Sequence, residues 1–161
     1  MTLDLDAALF RQLLGHFATG VTVVTARDAE GNPVGMTANS LSSVSLAPPL
    51  VSICVDQLAD THRVLAAGGP FVINLLAAGQ EGLSRRFAGK QTGDRFSGIG
   101  YRMTATQLPV LDGVLAHIEC EYFSAHILGD HTLFVGRVTG GGAAEGRPLL
   151  YYRGGYADLA P

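Results

Sequence analysis

The chain has 161 residues, 47% of them hydrophobic and only 16% charged, a composition that excludes a disordered polyelectrolyte and allows a real core within a single domain, residues 1–161. A net charge of −3, with 11 Lys and Arg and no basic cluster, excludes the electrostatic footprint of a nucleic-acid binder. No apolar run approaches bilayer length, so a soluble, cytoplasmic protein without a membrane partner is expected, and the sparse solvating charge predicts that a second copy covers apolar surface in a homodimer.

The N-terminus carries acids where a signal peptide carries basic residues. Asp4 or Asp6 can cap a first helix whose Leu5, Leu9, Leu13 and Phe17 repeat at i, i+4, and Gly15 and Gly20 punctuate its end, so an amphipathic packing helix is expected. VTVVTA (21–26) reads as a strand, residues 28–32 as a turn, residues 33–38 as the returning strand, and residues 50–55 as a third strand after Pro48 and Pro49. Asp60 or Thr61 can cap a short helix that runs to Ala67 and ends at Gly68, Gly69 and Pro70; Thr61, at its N-terminus, is a candidate phosphate contact. FVINLL (71–76) follows as a strand, then a helix over 80–88 with Arg85 and Arg86, which face solvent or neutralise a phosphate. GKQTGDRFSGIG (89–100) is a glycine-rich loop, residues 114–124 and 132–138 are strands, GGGAAEGRP is a turn, and a last strand lies around 149–153. Strands dominate without regular helix alternation, which predicts a mainly β, antiparallel barrel with short peripheral helices.

The stretch MTANSLSSVS (36–45) places Thr37, Ser40, Ser42, Ser43, Ser45 and the amide of Asn39 in an uncharged run. Such a segment serves as a surface turn or surrounds a phosphate or heteroaromatic edge with neutral donors and free backbone N–H groups. Metal binding is disfavoured: in a strand His117 shares a face with Glu119 and Glu121, whereas Cys120 points the other way, and Cys54 and Cys120 both sit in apolar surroundings suited to buried reduced thiols. No G-x-S-x-G elbow supports a nucleophilic serine, and residues 89–100 match neither a P-loop nor a Rossmann fingerprint. Gly129-Asp130 forms a turn that places His131 at a strand mouth, where a ring nitrogen can meet a ligand.

Taken together, FATGVTVVTA (17–26), GMTANSLSSVSLAPPLVSICVD (35–56), FVINLLAAGQEGLSRRFAG (71–89), DRF (94–96), GDHTLFVGRV (129–138) and PLLYYRGGY (148–156) resemble, in order and spacing, the flavin reductase-like family. That family has the FMN-binding split-barrel fold, with Greek-key connections, and includes the small NAD(P)H:flavin oxidoreductase components of two-component monooxygenases. The resemblance implies a flavin site of Met36, Thr37, Ala38, Asn39, Ser40, Ser45, Cys54, Val55, Asp56 and Asn74 around the ring and ribityl chain, with Thr61, Arg86 and Phe87 near the phosphate or dinucleotide extension. It also implies that His131, Arg153 and Tyr156 position the nicotinamide of NADH or NADPH against FMN or FAD, that His131 is the catalytic candidate, and that reduced flavin passes to a partner monooxygenase. The same barrel can instead hold FMN as a tight prosthetic group without fast turnover, or serve only as a partner-binding module.

Overall fold

The computed structural model describes residues 5–89 and 93–159. Helix α1 (Ala7–Gly15) begins where Asp6 Oδ1 accepts the Leu9 N–H at 2.7 Å, so Asp6 is the cap, and Asp4 lies outside the described residues. The short β1 (Thr19–Gly20) leads into β2 (Thr22–Arg27), which returns as β3 (Pro33–Ala38). Next come β4 (Ser42–Leu46), a turn containing a cis Ala47–Pro48 peptide, and β5 (Pro49–Asp56). After α2 (Asp60–Ala66), β6 (Phe71–Leu75), a 3-10 turn (Ala78–Gln80) and α3 (Glu81–Ala88), β7 (Tyr101–Met103) pairs with β8 (Pro109–Leu111). The long hairpin of β9 (Ala116–Leu128) and β10 (His131–Ala143) follows, and β11 (Leu150–Tyr152) with β12 (Gly155–Ala157) ends the described chain.

Seven strands form one antiparallel sheet in the order β3-β2-β6-β9-β10-β5-β4. No ladder joins β3 to β4, yet Ala38 of β3 and Val51, Ile53 and Val55 of β5 share one core with Val24, Phe71, Ile73 and Phe134. The sheet therefore curls around a common interior while its edges stay unpaired, as in a split barrel, and Leu65 of α2 packs into that interior. A second core, with Val21, Val23, Leu76, Phe87, Phe96, Leu111 and Leu149, lies on the other side of β2 under α3 and residues 93–100. Because Val24 and Val23 face different cores, β2 is buried on both faces, which accounts for its continuous apolar run.

Several expectations change. Helix α1 buries none of its residues, and Leu5, Leu9, Leu13 and Phe17 are exposed, so it does not pack as an amphipathic helix on its own chain's core. The hydroxyl-rich stretch is largely strand: residues 42–46 form the edge strand β4, whose pattern hides no apolar face. The glycines at 140–142 continue β10 rather than turning; a Cβ on Gly142 would stand 2.9 Å from His117 Cε1, so small residues give that ring its place. Helix α2 is capped by Ala59 without a side-chain bond and ends at Ala66, so neither Asp60 nor Thr61 is its cap. Cys120 is buried, and that burial pushes its thiol pKa up to about 12, whereas Cys54 is only half-buried.

Candidate active site

A cleft of about 630 Å³ opens between β3, the β5–α2 turn, the C-terminal end of α3 and residues 93–96, a volume ordinary for a small-molecule site. On the β3 side, a Cβ at Gly35 would stand 3.0 Å from Phe87 Cε1 and 3.1 Å from the Val24 carbonyl oxygen, so the close packing of strand on ring depends on glycine. Thr37 donates its hydroxyl to the Ser84 carbonyl at 2.6 Å, which fixes the rotamer and leaves the oxygen free to accept. Asp56 Oδ1 accepts the Leu58 N–H and Asp94 Oδ1 accepts the Phe96 N–H, each at 2.8 Å, so both carboxylates shape turns that wall the cleft. Among the described lining residues Arg95 is the single cation. Its Nη1 donates to the carbonyls of Gly35 (3.0 Å) and Phe87 (3.4 Å), and its Nη2 donates to Gly89 (2.6 Å). The guanidinium thus neutralises the carbonyl end of α3 and ties it to β3 without forming an ion pair among the described residues.

His131 reaches this wall through the sheet. The β9–β10 turn has Gly129 at φ 65 in its first central position and Asp130 in its second, a two-residue hairpin that starts β10 at His131. His131 then stands opposite Asp56 in the β10–β5 ladder, and cross-strand partners project to the same side. His131 Nδ1 lies 2.7 Å from Asp130 Oδ1, and that bond holds the Asp130 carboxyl below its ordinary 3.8. An ionised carboxylate can only accept, so Nδ1 carries the proton and Nε2 is left for another partner.

Of the residues expected in the flavin site, Met36, Thr37, Asp56 and Phe87 line the cleft. Ala38 is buried behind it, where its carbonyl accepts the Thr22 hydroxyl, and Asn39 reaches instead to Thr19 Oγ1 at 3.3 Å. The Ser40 hydroxyl is spent on Cys54, accepting its N–H at 2.9 Å and donating to its carbonyl at 3.2 Å, which pins the β3–β4 connection to β5. Val55 points into the core, and Ser45 sits on β4 opposite Leu50.

Five further site candidates do not line the cleft. Thr61 is 1% exposed and faces the interior, while Ala59 and Asp60 occupy the cleft side of the helix start. Asn74 is fully buried: its Nδ2 donates to Val23 O and Thr25 Oγ1, and its Oδ1 accepts the Leu111 N–H, so its amide knits β6, β2 and β8 together. Arg86 donates to the Ser97 carbonyl, and Tyr156 hydrogen-bonds Ser84 Oγ at 2.7 Å beneath the guanidinium of Arg85. Arg153, at φ 51, forms a tight turn with Gly154 and donates its N–H to Gly15 O at 2.8 Å; neither it nor Tyr156 lines the cleft. Sequence reasoning missed Arg95, although the Asp-Arg-Phe triplet pairs a turn-forming carboxylate with a buried ring on either side of it. Among the described residues no cluster of three His, Cys, Asp or Glu side chains is arranged to hold a metal.

Residues 14–160 match the flavin reductase like domain. The chain belongs to the flavin reductase-like family. It is 40% identical over 157 residues to a flavin reductase of Pseudomonas putida, covering 97% of this chain and 92% of that protein. Over 164 residues it is 37% identical to HsaB of Mycobacterium tuberculosis, the reductase subunit of a flavin-dependent monooxygenase, covering all of this chain (100%) and 87% of HsaB. The NADH:FAD oxidoreductase SgcE6 of Streptomyces globisporus C-1027, solved in complex with NAD and FAD fragments, superposes with a TM-score of 0.92 at 38% identity and covers 100% of this chain and 98% of its own. In this flavin reductase-like chain the long β9–β10 hairpin carries His131 to the strand position opposite Asp56, a residue of the cleft wall.

Proposed function

We propose that this chain is a single-domain NAD(P)H:flavin oxidoreductase that reduces FMN or FAD with NADH or NADPH and passes reduced flavin to a flavin-dependent monooxygenase partner in the cytoplasm. The observation that carries this reading is the ladder pairing of His131 with Asp56, which sets a histidine with a free Nε2 beside a residue of the cleft wall. The cleft suits a flavin: backbone at Gly35, the thioether of Met36 and the ring of Phe87 offer apolar contact, the Thr37 oxygen accepts, and Arg95 offers a cation for a phosphate. A bound flavin supplies the redox chemistry by taking up a hydride from the reduced nicotinamide. Transfer depends on placing the two rings together, so His131 acts by orienting the nicotinamide, with no need for a strong acid. HsaB, a reductase subunit by name, supports a monooxygenase partner.

The homodimer is supported by α1, where Leu5, Leu9, Phe10, Leu13 and Leu14 are all exposed. Burying each would contribute about 1.5–3 kcal/mol. The deciding experiment is anaerobic: nicotinamide oxidation and flavin bleaching are followed together with flavin in large excess over protein. Catalytic bleaching of the excess is expected; bleaching of an amount equal to the protein would make the flavin a held prosthetic group, and no bleaching with either nicotinamide would overturn the assignment.

A further inference from the structure

The turn that carries His131 is bound to the turn that walls the cleft by residues outside both the cleft lining and the His131–Asp130 pair. Where β5 ends at Asp56, Gln57 continues the contact with the neighbouring turn: its backbone N–H donates to the Asp130 carbonyl at 3.1 Å and its side-chain Nε2 to the Gly129 carbonyl at 3.0 Å. Five residues further along the chain, His62 on α2 places Nε2 2.8 Å from Thr132 Oγ1, with its ring in an edge-to-face pair with Phe134 at a centroid distance of 5.5 Å. Thr132 is buried, so this bond is shielded from water in a way that the exposed Gln57 bond is not. The Asp56–Asp60 wall and the Gly129–Thr132 turn are therefore joined on both sides of His131. A two-residue hairpin that opens with glycine has little stiffness of its own.

We infer that Gln57 and His62 are positioning residues, which hold the His131 turn in register with the cleft wall and so set where the nicotinamide sits relative to the flavin. This rests on the reductase reading for its functional half, while the clamp itself is a property of the fold. Since neither side chain lines the cleft, flavin binding should be almost indifferent to them, whereas nicotinamide engagement should not.

The test uses Gln57→Glu, which keeps the shape but cannot donate to the Gly129 carbonyl, and His62→Phe, which keeps a ring against Phe134 but cannot bond Thr132. Hydrogen–deuterium exchange over residues 128–133 is read beside steady-state kinetics and flavin affinity from fluorescence quenching. The expected result is faster exchange in that segment, a nicotinamide KM raised about fivefold per variant, the scale of one lost hydrogen bond, and flavin affinity within about twofold of wild type. Unchanged exchange overturns the clamp whatever the kinetics show. Faster exchange with unchanged nicotinamide kinetics, or with flavin affinity lost in proportion, overturns the positioning role. If the wild-type protein oxidises no nicotinamide in the presence of flavin, the reductase reading fails first and the positioning role with it, and the exchange result still judges the clamp.

Discussion

His131 and Asp130 form an exposed pair, their side chains 44% and 93% accessible, so the bond between them orders a ring more than it stabilises the fold. Replacing His131 with alanine should slow nicotinamide oxidation by roughly tenfold or more while leaving flavin affinity within about twofold, because the ring is assigned to placement of the second substrate; equal losses of both would count against that assignment. Asp130→Asn removes the acceptor that fixes the Nδ1–H tautomer. The folded-state pKa of Asp130 is lowered by His131, so the carboxylate's contribution is present above its ordinary 3.8 and is lost as pH falls through the lowered value. Wild type and Asp130→Asn should therefore differ in nicotinamide KM at neutral pH, and that difference should shrink as the pH is taken down through the acid range in which the protein stays folded. Arg95 makes the opposite kind of contribution, a shielded fork on three carbonyls. Arg95→Met should cost about 1–3 kcal/mol of stability in a denaturant titration and weaken flavin binding as well, and Arg95→Lys should restore charge but little of the stability.

At the scale of elements, α1 is the outlier. Its described ties to the chain are at its C-terminal end, where Gly15 O accepts the Arg153 N–H, and its apolar residues face outward. Leu9→Lys with Leu13→Lys should leave the thermal midpoint of an isolated subunit nearly unchanged and move the mass measured by light scattering from dimer to monomer; a dimer that persists would place the interface elsewhere. Element boundaries were legible where the chain writes them locally. The Asp6 cap, the β-branched run of β2 and the Gly129-Asp130 hairpin all follow from neighbours within a few positions. Edge strand β4 was not legible, because a strand with no buried face has no alternation to read, and the β10 glycines resembled a turn because the reason for their smallness, the ring of His117, lies on another strand.

Across the whole molecule, the same contrast separates what the chain order conveys from what folding adds. The family resemblance and the antiparallel class follow from the succession of segments, and Met36, Thr37, Asp56 and Phe87 do meet at one cleft. The family resemblance put Asn74 in the flavin site; its partners Val23, Thr25 and Leu111 lie 51, 49 and 37 positions away, so only the folded chain reveals a structural amide. Thr61 was misplaced for a related reason: a helix start says which N–H groups are free but not which side faces the core.

The deep placement of Cys120 on β9, between β6 and β10, gives the molecule a built-in clock. With its pKa pushed up to about 12, the thiol offers an alkylating reagent almost no thiolate at neutral pH, and no path to it while the sheet is closed. Iodoacetamide should modify Cys54 alone in the native protein, and the rate at which a second adduct accumulates should report how often the central strands part.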